Sequence, residues 1–500
     1  MGHSGRKKYS YQAIGIVIGL SVLFLGLPAW SQRNVTELSE TAIAISSTPD
    51  LLEGQPLRQK LEATNVVNNS ASNPTILLEE LESLFTEEFS SYLNLDGQVS
   101  SLATNIPAVQ TTLKQVASAT GIKPGVLYVY FSSSHDHPNN QFQDAATEHP
   151  DDVLGVFLIT QEGQPIHKEL TSVTRRDVMP VAEEFYAQVT NAISGESQYL
   201  PPAQQLYDWF IKPIETELQA QGIESLAFAM GCGLRVLPLA ALHNGSEFLI
   251  ERYSLGLIPS IRLTNFDSEN FISTPLENTQ LLAMGASEFP SQQALPAVSQ
   301  ELDIIAQTFN NSDVFLNEEF TLRNLQQQIA QERYDIVHLA SHGVFSSGEP
   351  HNSYIQLWDQ PLQMNRFHTL GLMDSDIALM VLSACNTAFG DLESEYGFAG
   401  LAVNLGIQTA LASLWPISDE GTLGVMSYFY DQLKQQPVRA TALRQAQLTM
   451  LQGDLQFVDG TLYGVHGTPL AHFPEQKYSG RWAFEHPFYW STYTLVGSPW

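Results

Sequence analysis

Two short and almost unbroken apolar runs constrain the fold of this chain more than any other feature: Tyr334-Asp335-Ile336-Val337-His338-Leu339-Ala340 and Ile377-Ala378-Leu379-Met380-Val381-Leu382-Ser383-Ala384. Runs of that length without polar alternation are how strands read when both faces are buried, the situation of a parallel sheet covered by helices. Parallel neighbours need long crossovers, so strands and helices should alternate around them. They do. Strand patterns fall at 125–131, 153–159, 224–230, 248–258 and 279–285, near Asp313, at 409–413 and at 489–496. Helical periodicity falls at about 73–93, 106–120, 176–193, 201–220, 296–309, 321–332 and 398–405, and twice more between Ser418 and about 452. Residues 453–485 are rich in Gly, His and Pro and read as irregular. The fold class expected is α/β: a three-layer α/β/α sandwich around a mostly parallel central sheet.

Each run delivers one reactive side chain just past its carboxyl end, His342 in Ser341-His342-Gly343 and Cys385 in Cys385-Asn386-Thr387. That edge of an open parallel sheet is where ligands bind. A thiol attacks a carbonyl carbon as the thiolate, and an imidazole can take its proton and pass it to a leaving amine. The two residues are far apart in sequence, so only the fold can join them. The amides of Gly343 and Cys385 would hold the developing oxyanion.

Other readings of these residues stay open. Cys232 and Cys385 are the only cysteines, and an even pair in an exported chain suggests a disulfide. A His pair at the spacing of His338 and His342 binds zinc on a helix with Glu beside the first His. Here Leu339 follows in a strand, and His338 reads as a core histidine. Asp391 and Asp419, with Glu420, read as acidic surface and the first turn of a helix capped by Ser418. The sharper reading makes Asp391 and Asp419 a substrate pocket for a basic group. Trp358 and Trp415 read as core.

The chain is long enough for two or three average domains. It holds 53 acidic against 23 basic residues, a net charge of −30. That balance argues against a nucleic-acid partner, which needs clustered Lys and Arg, and favours attraction of basic peptides. Residues 1–31 have a basic start (Arg6, Lys7, Lys8), an apolar stretch from Ala13 to Leu27, and Ala29 and Ser31 before a cleavage point at Gln32. This is the layout of a secretory signal peptide; the alternative is an uncleaved anchor that tethers the chain to a membrane. Either way the body is expected outside the cytoplasm. Residues 32–75 read as a polar linker, 76–119 as a short helical segment and 120–500 as the main domain. His135-Asp136-His137 lies in a polar loop, where such a triplet is ordinarily solvated, and no metal is expected. There is no Gly-x-Ser-x-Gly elbow, Walker loop or dinucleotide fingerprint.

The motif His338-Leu339-Ala340-Ser341-His342-Gly343 precedes Leu382-Ser383-Ala384-Cys385-Asn386-Thr387. Around them stand Leu237-Pro238-Leu239-Ala240-Ala241-Leu242, Pro259-Ser260, Gly397-Phe398-Ala399-Gly400, Leu414-Trp415 with Asp419, and the closing Gly497-Ser498-Pro499-Trp500. In this order the segments resemble the CHAT family, caspase-like cysteine peptidases of bacteria and eukaryotes, over roughly residues 120–500. The resemblance implies a caspase-like fold and a cysteine endopeptidase, with Cys385 as nucleophile and His342 as base. It implies a protein or peptide substrate and no metal or organic cofactor. Cys232 stands where the family usually has an acidic residue. Many members carry tetratricopeptide repeats upstream, whereas this chain shows no internal repeat. The competing reading is a non-catalytic scaffold with the same fold. No feature of the sequence fixes an oligomeric state.

Overall fold

The computed structural model describes residues 73–92, 105–132, 149–231, 233–266, 278–289, 292–344, 350–372, 377–385, 406–416, 418–436, 438–473 and 480–500. The expected leader, nearly all of the expected linker, His135-Asp136-His137, Cys232, Asp391 and the helix expected at 398–405 lie outside them. No helix among the described residues is long and apolar enough to cross a membrane.

Helix α1 (Pro74–Tyr92) starts on Pro74, whose fixed φ suits a first turn, and buries Leu77, Leu78, Leu81 and Phe85 at helical spacing. Helix α2 (Ile106–Thr120) is capped by Asn105, which accepts from the Ala108 amide at 2.9 Å, and ends on Gly121 at φ 74°. Then come β1 (Pro124–Ser132), β2 (Val153–Thr160), β3 (Ile166–Thr174), α3 (Arg175–Val189), α4 (Glu196–Phe210), α5 (Glu215–Gln221), β4 (Ser225–Met230), α6 (Leu249–Arg252), β5 (Ser254–Leu257) and β6 (Gln280–Gly285). The strand expected over 248–258 forms only from Ser254. The Glu251 carboxylate accepts from the Phe248 amide at 2.6 Å, and this capping contact turns 249–252 into a helical turn first.

The second half contributes α7 (Ala297–Thr308), β7 (Asn311–Leu316), α8 (Leu322–Gln331), β8 (Ile336–Val344), β9 (Tyr354–Gln356), β10 (Pro361–Gln363), β11 (Leu379–Cys385) and β12 (Thr409–Ser413). After them come α9 (Asp419–Gln435), α10 (Arg439–Leu451), β13 (Gln456–Val458), β14 (Thr461–Tyr463), β15 (Pro469–His472), β16 (Arg481–Ala483), α11 (Pro487–Trp490) and β17 (Tyr493–Gly497). As expected, Ser418 caps α9, its hydroxyl accepting from the Gly421 amide at 3.2 Å.

One large sheet carries the fold. Its strands run β7-β6-β8-β11-β12-β17-β5-β4-β1-β2-β3, with β9 and β10 attached beyond the tip of β8. Pairing is parallel from β7 to β12 and from β17 to β1, and antiparallel where β17 meets β12 and where β2 and β3 follow β1. Strand alternation sends Leu127 and Val129 to one face and Val126 and Tyr128 to the other. The first face is covered by α3, α4, α7, α9 and α10. The second is covered by α1 and α2 over β1 and β4, and by α8 with Met364, Phe367 and Leu370 over β8 and β11. This is the three-layer sandwich the apolar runs require. Residues 453–485, expected to be irregular, instead hold a small antiparallel sheet, β15-β14-β13-β16, with Phe457 and Trp482 stacked at 4.7 Å. Trp415 is in the core, and Trp358 is half-buried against it.

Candidate active site

The chain leaves β6 through α7 to reach β7 on one side, then returns through α8 to place β8 on the other side of β6. α7 packs on one face of the sheet and α8 on the opposite face. Connections that part in this way open a crevice at the carboxyl ends of the strands, where α/β proteins bind ligands.

His342 and Cys385 meet at that edge. β8 and β11 pair in parallel from Ile336 and Leu379 upward, and the last pair in the register is His342 with Cys385. Their backbones are therefore one strand spacing apart, about 5 Å. Both residues are still inside their strands rather than in turns past them. β8 outlasts the expected end at Ala340 because β9 folds back and pairs Ile355 with Gly343 and Tyr354 with Val344. Gly343 is buried one position beyond the imidazole, so its amide and that of Cys385 occupy adjacent strand tips.

The connection after β6 holds the imidazole. His342 Nε2 lies 2.7 Å from the carbonyl oxygen of Gln293, and its ring packs against Phe289 with centroids 4.8 Å apart. A carbonyl only accepts, so Nε2 carries a proton and donates it, which leaves Nδ1 as the acceptor of the neutral ring. Gln293 had no sequence signal, because it acts through its main chain. Asp419 reaches the same connection: half-buried as the first residue of α9, it accepts from the Ala297 amide at 3.4 Å. Glu420 is buried. Asp391 and the proposed Cys232–Cys385 bridge involve residues outside those described.

Beneath the crevice, on the face covered by α7 and α9, lies a buried polar cluster. His338 is fully buried, as a core histidine should be. Its Nδ1 is 3.0 Å from the Tyr430 hydroxyl on α9, and its Nε2 is 3.2 Å from Glu301 Oε1 on α7. The second contact is at ion-pair distance without hydrogen-bond alignment. The same Glu301 oxygen accepts from the Ser383 hydroxyl at 2.6 Å. Burial, with the Glu301 charge behind it, holds the Tyr430 phenol well above its usual pKa, so it remains a neutral donor. Glu301 was missed, although a charge inside an apolar stripe, between Val298 and Leu302, was the signal that could have found it.

No curated protein matches this sequence significantly. Among solved structures, the chain is similar to the Saccharomyces cerevisiae separase–securin complex, at 11% identity and a TM-score of 0.46 over 87% of this chain and 34% of that one. It thus spans about a third of that matched chain. It is similar to the Arg-specific cysteine proteinase gingipain R at 11% identity and a TM-score of 0.35, covering 61% of this chain and 68% of that one. A third similarity is to the complex of Porphyromonas gingivalis RgpB pro- and mature domains, at 10% identity and a TM-score of 0.37, covering 65% and 76%. The CHAT domain model matches residues 200–498, more than half of the sequence, so the chain belongs to the CHAT-domain family.

Proposed function

We propose that this protein is a cysteine endopeptidase that cuts a polypeptide outside the cytoplasm, after export directed by its first 31 residues. The observation that carries the reading is the strand register, which ends on His342 opposite Cys385, together with a ring whose Nε2 is already committed to Gln293. In the first step the Cys385 thiol gives its proton to His342 Nδ1 and its sulfur bonds to the substrate carbonyl carbon. The amides of Gly343 and Cys385 steady the oxyanion. The Nδ1 proton then goes to the departing amine as the C–N bond breaks, leaving a thioester. Water, deprotonated by Nδ1, attacks that thioester, and the proton returns to the sulfur as the acid is released. Asp419 and Asp391 supply negative charge for a basic residue before the cut bond.

The test is alkylation of Cys385 by iodoacetamide at about pH 6, where an unassisted thiol is almost fully protonated. Site-resolved mass spectrometry would follow the wild type and His342→Ala. Fast labelling that disappears in the variant supports an activated thiol; equal, slow labelling in both makes the domain a scaffold. A peptide-library digest, with Cys385→Ala as the inactive control, then reads the preferred residue. Asp419→Asn should weaken cleavage after Lys and Arg by about tenfold while leaving the rest unchanged.

A further inference from the structure

We propose that Glu301 is a positioning residue for the His342–Cys385 pair, acting through Ser383 on one strand and His338 on the other. The inference rests on the peptidase reading above and adds a part to it.

The geometry starts from the register. His338 stands opposite Val381, Ala340 opposite Ser383, and His342 opposite Cys385. His338 and Ser383 therefore sit diagonally on the two strands, just below the pair that ends them. A single oxygen, Glu301 Oε1, reaches both: 2.6 Å from the Ser383 hydroxyl and 3.2 Å from His338 Nε2. Tyr430 holds the other ring nitrogen of His338 from α9.

Such a group is hard to explain by stability alone. Glu301 is 2% exposed and His338 has no exposed surface. Apolar side chains of similar volume would hold α7 against the sheet at least as well as a buried ionic cluster. What apolar packing does not provide is direction, because burial of hydrocarbon surface is nearly indifferent to a small slide along a strand. A short hydrogen bond to a carboxylate is not indifferent. It ties Ser383 of β11 to α7 and, with the same oxygen against His338 of β8, adds a directional restraint to the ladder that sets Cys385 beside His342.

The same segment of chain also sets the ring. Gln293, whose carbonyl accepts from His342, leads directly into α7, and Asp419 fastens the start of that helix at Ala297. One end of this segment orients the base and the other pins the strand of the nucleophile. Displacing it would move both.

The experiment uses the full chain carrying Ser383→Ala, Glu301→Ala or Glu301→Gln. It reads kcat and KM on the best library peptide, the alkylation rate of Cys385 at about pH 6, and the melting temperature. Misplacement without lost binding predicts that Ser383→Ala and Glu301→Ala lower kcat by about tenfold or more, with KM within about twofold and fast alkylation lost. Glu301→Gln keeps an oxygen for Ser383 and should restore kcat to within about threefold of wild type. If Glu301→Ala does not fold, Ser383→Ala decides, since it removes one buried hydroxyl. The proposal is overturned if Ser383→Ala melts lower yet keeps kcat and alkylation within about twofold, or if Glu301→Gln is as impaired as Glu301→Ala. Should wild-type alkylation prove independent of His342, the peptidase reading fails and takes this one with it. Should it depend on His342 while the Ser383 and Glu301 variants behave as wild type, only the positioning role is lost.

Discussion

Glu82 shows what one buried carboxylate does in this molecule. It has no exposed surface, yet it accepts from the Tyr128 hydroxyl at 2.7 Å, the Ile261 amide at 2.9 Å and the Arg262 amide at 2.8 Å. It thereby fastens α1 to β1 and to the turn after β5. Burial is the largest influence on its pKa and raises it, against the lowering effect of its donors and of the Arg262 charge. A carboxyl whose folded pKa is raised binds its proton more tightly in the folded state. Its contribution to stability is therefore fullest below the unfolded carboxyl value and declines as pH rises through the folded one. Glu82→Ala should cost about 3 kcal/mol, because it strands buried donors. The gap from wild type should narrow as pH rises above the ordinary carboxyl range, measured by urea unfolding of both proteins. Glu82 and Glu301 share a sequence signal that was missed, a charge set in an apolar helical stripe, which indicates burial but names no partner. The meeting of His342 and Cys385 at adjacent strand tips was legible because reactive side chains at the ends of apolar runs are chemically conspicuous. Phe289 and the Gln293 carbonyl were not, since an aromatic in a loop and a main-chain oxygen look the same wherever they occur.

Among the elements, β6 is the one on which the crevice turns, and Gly285 is its tightest point. A Cβ there would stand 2.7 Å from the Ala340 carbonyl oxygen and 2.8 Å from Val298 Cγ1. The first of these is backbone of the strand that carries His342, so it cannot swing aside as a flexible side chain would. Gly285→Ala should therefore push β6 from β8 and tilt α7, costing about 1–3 kcal/mol of stability. Because α7 also carries Glu301, kcat should fall together with the melting temperature if the domain cuts peptides. An unchanged kcat in a destabilised variant would show that the crevice tolerates the shift. The buried strands were legible because two covered faces leave a continuous apolar run, as in β8 and β11. β3 was missed because many of its residues, such as Lys168, Glu169, Thr171 and Ser172, are solvent-facing at the sheet edge, so no such run forms. The small sheet was missed because three of its strands are three residues long, too short for any periodicity to show. The helical turn of α6 depended on one contact between Glu251 and the Phe248 amide, which apolar patterning does not register.

Across the whole molecule the largest asymmetry is charge, 53 acidic side chains against 23 basic ones. A charge of that size makes a field that acts before contact, raising the rate at which cationic ligands arrive and lowering it for anionic ones. Salt screens such a field over a Debye length, about 10 Å at 0.1 M, whereas hydrogen bonds made after docking are far less affected. Steering and recognition can therefore be separated if the domain cuts peptides. For a substrate rich in Lys and Arg, kcat/KM should fall by about tenfold between roughly 20 mM and 500 mM NaCl. For a neutral peptide of the same cleavage sequence it should change by less than about twofold, and kcat should stay flat for both. Asp419→Asn removes one charge of many, so it should leave the salt dependence of the basic peptide nearly intact while lowering its rate at every salt concentration. If that substitution instead abolished the salt dependence, the attraction would be local to the crevice, and the overall acidity of the protein would contribute nothing to substrate capture.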